Sequence, residues 1–331
     1  MGRFRRWLAG ALLLAVLLAG AAAWQAQRLF RAPGPLVQPA QVVIPRGGGT
    51  EAIAGVLQAA GIIADARVFA IATWATRDRG PLRAAEFAFP AGASVAQVLE
   101  TLRQGRPVQR RLTIAEGLTA RQITALLARA EGLVGEAPAP PEGAVLPETY
   151  AYQWGDDRAA LLRRAEAAMA QALAESWVSR AEGLPLATAR EALVLASIVE
   201  RETGQAEERP RVAAVFINRL RRGMPLQSDP TVAYAAAEGG VLDRPLSRAD
   251  LDREHPFNTY RTRGLPPAPI AAPGLASLRA VTRPATTEDL YFVADGSGGH
   301  AFARTLDEHN RNVARWREIE RRRAEGQAPS R

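Results

Sequence analysis

The sequence predicts an α+β protein in three parts: an N-terminal membrane-spanning helix, a small α+β region, and a mainly helical domain with a few strands. Three observations carry this. An uncharged run occupies Trp7–Gln27, one strand, glycine turn and capped helix unit then recurs three times, and beyond a proline-rich break the apolar residues recur at helical spacing. The 331 residues suit about two domains, and 47% hydrophobic against 23% charged residues is the balance of a chain that builds cores.

Taken in order, Arg3, Arg5 and Arg6 precede the apolar run, whose centre is Leu8–Ala23 and whose ends carry Trp7 and Trp24. A spanning helix needs about 17–25 such residues, and basic residues ahead of it predict a cytoplasmic N-terminus and an exported remainder. Ala21-Ala22-Ala23 also fits a signal-peptide cleavage site, but the run exceeds the usual signal core of about 7–15 residues, which favours a retained anchor. Residues 1–7 are then the cytoplasmic end, 8–26 the anchor, and 27–41, with Pro33, Pro35 and Pro39, a juxtamembrane linker.

The repeating unit fills 42–136. Its strands are Val42–Ile44, Glu86–Phe89 and Leu112–Ala115, and its helices Ala52–Ala60, Val95–Arg103 and Ala120–Ala130. Ser94 with Gln97, and Thr119 with Gln122, have capping-box spacing. Ala137–Pro141 breaks the chain and marks a boundary, so the mainly helical domain is placed at 142–325 and a frayed tail at 326–331. Within it the pattern predicts helices over Arg158–Arg180, Thr188–Gly204 and Pro210–Arg222, a short one from Pro230, a proline-rich loop over His255–Gly274, one late strand at Leu290–Val293, and a terminal helix from about Asp307.

Composition removes several chemistries. There is no cysteine, hence no disulfide, thiolate metal site or Cys nucleophile, and all 42 basic residues are arginine. Without lysine there is neither a Schiff base for pyridoxal phosphate nor a Walker A lysine. The three histidines are too scattered for a metal site. The net charge of +8 comes without an aromatic RNA-binding signature or a basic helical stripe, so nucleic acid is not the expected partner.

Thr188–Gly204 is the segment best suited to chemistry. Ala192–Val199 carries no charge, so this helix is buried on nearly every side, and Thr188 with Glu191 caps its start. Glu200 follows Ala196 by four and Leu193 by seven positions, on the apolar face. Glu202 lies roughly 200° around the helix and points elsewhere. Apolar surroundings disfavour a carboxyl's charged form, and the negative end of the helix dipole acts in the same direction. A Glu held protonated near neutral pH is what a general acid requires. The alternative is an ordinary glutamate paired with Arg211 or Arg219. Asn218 interrupts an apolar helix face, while Gln227, Asp229 and Thr231 are compact polar groups suited to holding hydroxyls or amides, though Asp-Pro also stabilises turns by itself. Asn258 and Tyr260 sit on the rigid proline-rich loop.

The stretches LPETYAY (146–152), LASIVERET (195–203), VFINRLRRGMPLQSDPTVAY (215–234), FNTYRTRGLPPAPIAAPG (257–274) and YFVADGSGGHAF (291–302), in this order, resemble the endolytic murein transglycosylases (YceG-like, MltG-type). The resemblance implies a single-pass inner-membrane protein with its catalytic domain in the periplasm, and a LysM-like subdomain within the strand–helix region. It implies cleavage of peptidoglycan glycan strands between N-acetylmuramic acid and N-acetylglucosamine, leaving 1,6-anhydro ends, with no metal or cofactor. The family's catalytic glutamate falls on Glu200, with Arg201 where the family has lysine. Asn218, Gln227, Asp229, Thr231, Asn258 and Tyr260, and less directly Glu148 and Tyr150, become groove residues. Peptidoglycan synthases, the penicillin-binding proteins among them, are the protein partners an enzyme so anchored would meet. The reading from another class is a membrane-tethered peptidoglycan-binding or scaffold protein without catalysis.

Overall fold

The charge-poor N-terminal sequence folds as one long helix, α1 (Gly2–Arg31). From Arg6 to Arg31 it has a mean hydropathy of 2.1 over its most apolar window, and none of that window is buried in the protein. At about 1.5 Å per residue such a helix exceeds the roughly 30 Å of a bilayer's hydrocarbon core. The structure, a computed structural model, describes residues 2–326. It divides into two compact units: the first runs through Arg110 and takes in Ala151–Asp156, and the second holds Arg111–Tyr150 and the chain from Asp157 on.

In the first unit, β1 (Ala40–Val43) pairs antiparallel with β2 (Glu86–Phe89), Ala40 opposite Phe89 and Val43 opposite Glu86. Helices α2 (Thr50–Ala59), α3 (Ala66–Ala75) and α4 (Val95–Gln104) complete it. Ile44, Leu57, Ile62, Phe69, Phe87, Phe89 and Leu102 form the core. The Ser94–Gln97 capping box is present at the start of α4. Helix α3 was not foreseen; Asp65 opens it by accepting the Arg67 N–H at 2.7 Å. The segment expected to be a linker is packed: Gly34 N–H donates to the Gly92 carbonyl at 3.1 Å, Gly92 N–H to that of Leu36 at 2.7 Å, and Phe30 and Leu36 lie on the core. Its prolines stiffen the segment without removing these donors and acceptors.

The strands β3 (Arg110–Thr113) and β4 (Thr149–Tyr152) form a second two-stranded sheet. The second unit adds α5 (Ala120–Arg129), α6 (Arg158–Val178), α7 (Ala189–Glu202), α8 (Arg209–Arg221), α9 (Asp229–Ala236), α10 (Arg248–Asp252) and α11 (Leu275–Thr282). A hairpin of β5 (Tyr291–Ala294) and β6 (His300–Ala303) and the helix α12 (Leu306–Gly326) close it. Helix α7 is the centre of the core: Leu195, Ile198 and Val199 pack with Val212 and Phe216 of α8 and Leu278 and Val281 of α11. The fold is thus mixed α and β, mostly helical, as the patterning predicts. The proline run Ala137–Pro141 lies inside the second unit rather than between the two. It is tied there by Ala144 N–H donating to the Pro141 carbonyl and by Glu142, which accepts the Ala120 N–H at 2.8 Å and so caps α5. The glycine turn after β5 returns as a strand, β6, with Ala294 opposite His300. The tail expected to fray lies, past Gly326, outside the described residues.

Candidate active site

Both glutamates at the end of α7 have polar company, and they face different partners. The Glu200 side chain is 4% exposed. Its Oε1 lies 3.2 Å from Arg209 Nη2, and its Oε2 accepts the Gly274 N–H at 2.9 Å. The same Arg209 nitrogen is 3.2 Å from Glu116 Oε2. Glu200 is therefore enclosed, as its place on the apolar helix predicts, but by an arginine, a backbone donor and a second carboxyl, not by apolar groups alone. Its arginine is Arg209, not Arg211 or Arg219. Burial, and next the charge of Glu200, push the Glu116 carboxyl above its ordinary value, with Arg209 opposing.

Glu116 was missed in the sequence, and reaches Glu200 through backbone pairing. Gly117 N–H donates to the Ala272 carbonyl at 2.9 Å and Ala272 N–H to that of Leu118 at 2.8 Å. Gly117 takes φ +75°, which glycine adopts without strain. A Cβ at Gly274, at the start of α11, would fall 1.8 Å from Glu116 Oε1, so a side chain there would push the Glu116 carboxyl out of this arrangement.

Glu202, expected to point away from any site, enters the other polar cluster. It is half-buried. Burial raises its carboxyl to about 7; the Ser228 side chain opposes this, the charge of Asp229 adds to it, and Arg219 opposes. The Ser228 hydroxyl is buried and forms no hydrogen bond of normal geometry among the described residues. Asp229 opens α9 and accepts the Tyr260 hydroxyl at 2.6 Å. Burial first, and then this bond, raise the Tyr260 hydroxyl well above its ordinary value.

The backbone beneath this cluster is tightly set. Gln227 has φ +52°, an uncommon conformation outside glycine, and its N–H donates to the Thr259 carbonyl at 3.1 Å. Thr231 and Thr259 share a hydroxyl–hydroxyl bond of 2.9 Å, and Thr259 Oγ1 accepts the Ser228 N–H. Arg219, 7% exposed, donates to the carbonyls of Leu226 and Leu290, each at 2.6 Å. The turn that presents Asp229 is thus held by side chains from α8, α9 and the proline-rich loop.

Of the residues singled out in the sequence, Gln227, Asp229, Thr231 and Tyr260 come together here, with Thr231 buried and Gln227 and Asp229 exposed. Asn218 and Asn258 serve the framework. The Asn218 amide donates to the carbonyls of Thr287 and Asp289. Asn258, 1% exposed, donates to those of Asp250, Leu251 and Arg253. The Tyr150 hydroxyl donates to the Leu146 carbonyl at 2.7 Å, and Glu148 is exposed nearby with its carbonyl taking the Ile114 N–H. What the Glu202 cluster can supply is a proton near neutral pH, on a desolvated carboxyl beside exposed hydrogen-bonding groups.

A model of the YceG-like family matches residues 42–315. An endolytic murein transglycosylase of Bacillus subtilis (strain 168) is 38% identical over 172 residues, which are 52% of this chain and 47% of that protein. One of Streptococcus pneumoniae (serotype 2, strain D39) is 28% identical over 323 residues, covering 82% of this chain and 57% of that protein. The crystal structure of a yceG-like protein from Listeria monocytogenes aligns with a TM-score of 0.52 at 25% identity, covering 83% of this chain and 98% of that one. The chain spans about half the length of the curated relatives it matches. The family match takes in most of this chain and both carboxylate clusters, so the chain belongs to the YceG-like family.

Proposed function

We propose that this chain is a peptidoglycan lytic transglycosylase in which Glu202 is the single general acid and base. The observation that carries this is the Glu202 carboxyl, raised to about 7 by burial beside the Asp229–Tyr260 pair. Protonated Glu202 would donate to the oxygen linking N-acetylmuramic acid to N-acetylglucosamine. As that bond breaks, positive charge develops at C1 of the muramic acid. The sugar's own C6 hydroxyl attacks C1, its proton passes to the Glu202 carboxylate, and a 1,6-anhydro end forms. One carboxyl serves both steps, whereas hydrolysis generally uses two across the bond. Gln227, Asp229 and Tyr260 would hold sugar hydroxyls and amides. Helix α1 would anchor the enzyme in the inner membrane, with the body periplasmic and the first, LysM-like, unit gripping the same polymer beside the peptidoglycan synthases.

A second reading keeps the acid on Glu200, the residue expected from the sequence. It is favoured by the enclosure of that side chain and by its neighbour Glu116, whose raised proton affinity makes the two a pair able to share a proton. Mass spectrometry of fragments released from purified peptidoglycan by the full chain separates the readings. Anhydro-muramic ends that vanish in Glu202→Gln and persist in Glu200→Gln support the first; the reverse supports the second. Borohydride-reducible ends would mean a hydrolase, and sedimentation with the polymer without products would mean a binding protein.

A further inference from the structure

Helix α3 carries two large apolar side chains in the open: Ile71 and Trp74 are each 67% exposed. They stand three positions apart, on one side of the helix, while Phe69 on the other side is buried in the core of the first unit. Scattered exposed apolar residues need no explanation, but these are placed. Ile71, with Ala72 and Ala75, lines a groove whose opposite wall is the last two turns of α1, at Ala23, Ala26 and Phe30.

That stretch of α1 has the side chains of a membrane boundary. Trp24 is 64% exposed, and the Arg28 guanidinium lies 5.7 Å from its ring centre. The end of α3 repeats the combination, with the guanidinium of Arg77, in the turn that follows, 4.6 Å over the ring of Trp74. An indole with a guanidinium on its face suits the headgroup level, where the ring meets acyl chains and the cation meets phosphate. The exposed apolar surface of α1 therefore continues, without a break in chemistry, onto Ile71 and Trp74.

We propose that α3 is a second membrane contact: it lies in the bilayer interface beside the exit of α1, with Ile71 and Trp74 in the lipid and Arg77 among anionic headgroups. This rests on reading α1 as a spanning helix. One helix alone would leave the first unit free to swivel above the membrane; the second contact fixes which way it faces.

Because the chain contains no cysteine, Ile71→Cys creates a unique site for a nitroxide label. Leu13→Cys in α1 and Val178→Cys, 83% exposed in the second unit, give lipid and water references. The full chain would be reconstituted in phosphatidylethanolamine–phosphatidylglycerol bilayers, and the accessibility of each label to oxygen and to a water-soluble nickel chelate measured by electron paramagnetic resonance. The expected result is an oxygen-to-nickel ratio at position 71 several-fold above that at 178 and approaching that at 13. A ratio at 71 equal to that at 178, with 13 in lipid, overturns the α3 contact while leaving the anchor in place. Protection of 71 from both reagents means a protein partner instead and also overturns it. An aqueous label at 13 overturns the anchor and the proposal together.

Discussion

Two carboxyls, two positions apart on α7, have been given opposite surroundings. Glu200 is gripped on both oxygens, by Arg209 and by the Gly274 N–H, and such a group is poorly placed to give up its contacts for a substrate. Glu202 is desolvated but not gripped. Glu202→Gln keeps the shape and cannot donate the acid's proton, so the fold should persist while glycan cleavage falls about 10²–10⁴-fold, read from the release of soluble fragments. Glu200→Gln should leave most of the activity but lower stability by about 1–3 kcal/mol in denaturant unfolding, because Arg209, 12% exposed, loses a charged partner. Helical geometry alone separates the two faces in the sequence. What each face meets is not local: Gly274 is 74 positions from Glu200. Pattern reading therefore finds the pair of carboxyls but not the groups that each of them meets. Asn218 and Asn258 show the same limit, since a polar residue among apolar ones reads alike whether it binds a ligand or staples carbonyls.

At the scale of elements, most local signals were legible, though not the Asp65 cap that opens α3. The Ser94 and Thr119 capping boxes, the strand Glu86–Phe89 and the proline at the start of α8 all stand where the residues put them. Elements defined by distant pairing were not: β6 exists because it folds back on β5, and Arg31–Gln41 is ordered because Gly92 supplies its hydrogen bonds. The packed segment can be tested at Gly34, where a Cβ would stand 2.3 Å from the Ala93 carbonyl oxygen and 2.9 Å from that of Ile62. Both obstacles are backbone and cannot swing aside, so Gly34→Ala should destabilise the first unit by about 1–3 kcal/mol. A true linker would tolerate the change, and thermal unfolding of the full chain in detergent distinguishes the two. Thr119→Ala, which removes the oxygen that accepts the Gln122 N–H, should cost about 0.5–2 kcal/mol in the same measurement.

For the whole molecule the net charge is +8, but the response to pH is set by a few carboxyls of the second unit. Glu116, Glu142 and Glu202 all bind a proton more tightly in the fold than in the unfolded chain, burial being the first cause for each. A group raised in this way contributes stability that is complete below its unfolded value and is lost as the pH rises through its folded one. For Glu202 that window runs from an ordinary 4.5 up to about 7. Asp289, drawn below 3.8 by Arg211, works the other way, its contribution disappearing only in stronger acid. The two trends place the stability maximum in mild acid. The unfolding midpoint should fall between about pH 5 and pH 8 at constant ionic strength, and Glu202→Gln should flatten that fall, with the two curves meeting near the ordinary carboxyl value. A midpoint that rises over this range, or a slope unchanged in the variant, would show that Glu202 is not desolvated in solution. In the reaction we propose, catalysis follows the same proton, since it begins with protonated Glu202. Glycan cleavage should therefore decline above about pH 7, beyond the range in which the fold loses the stabilisation that the protonated carboxyl supplies.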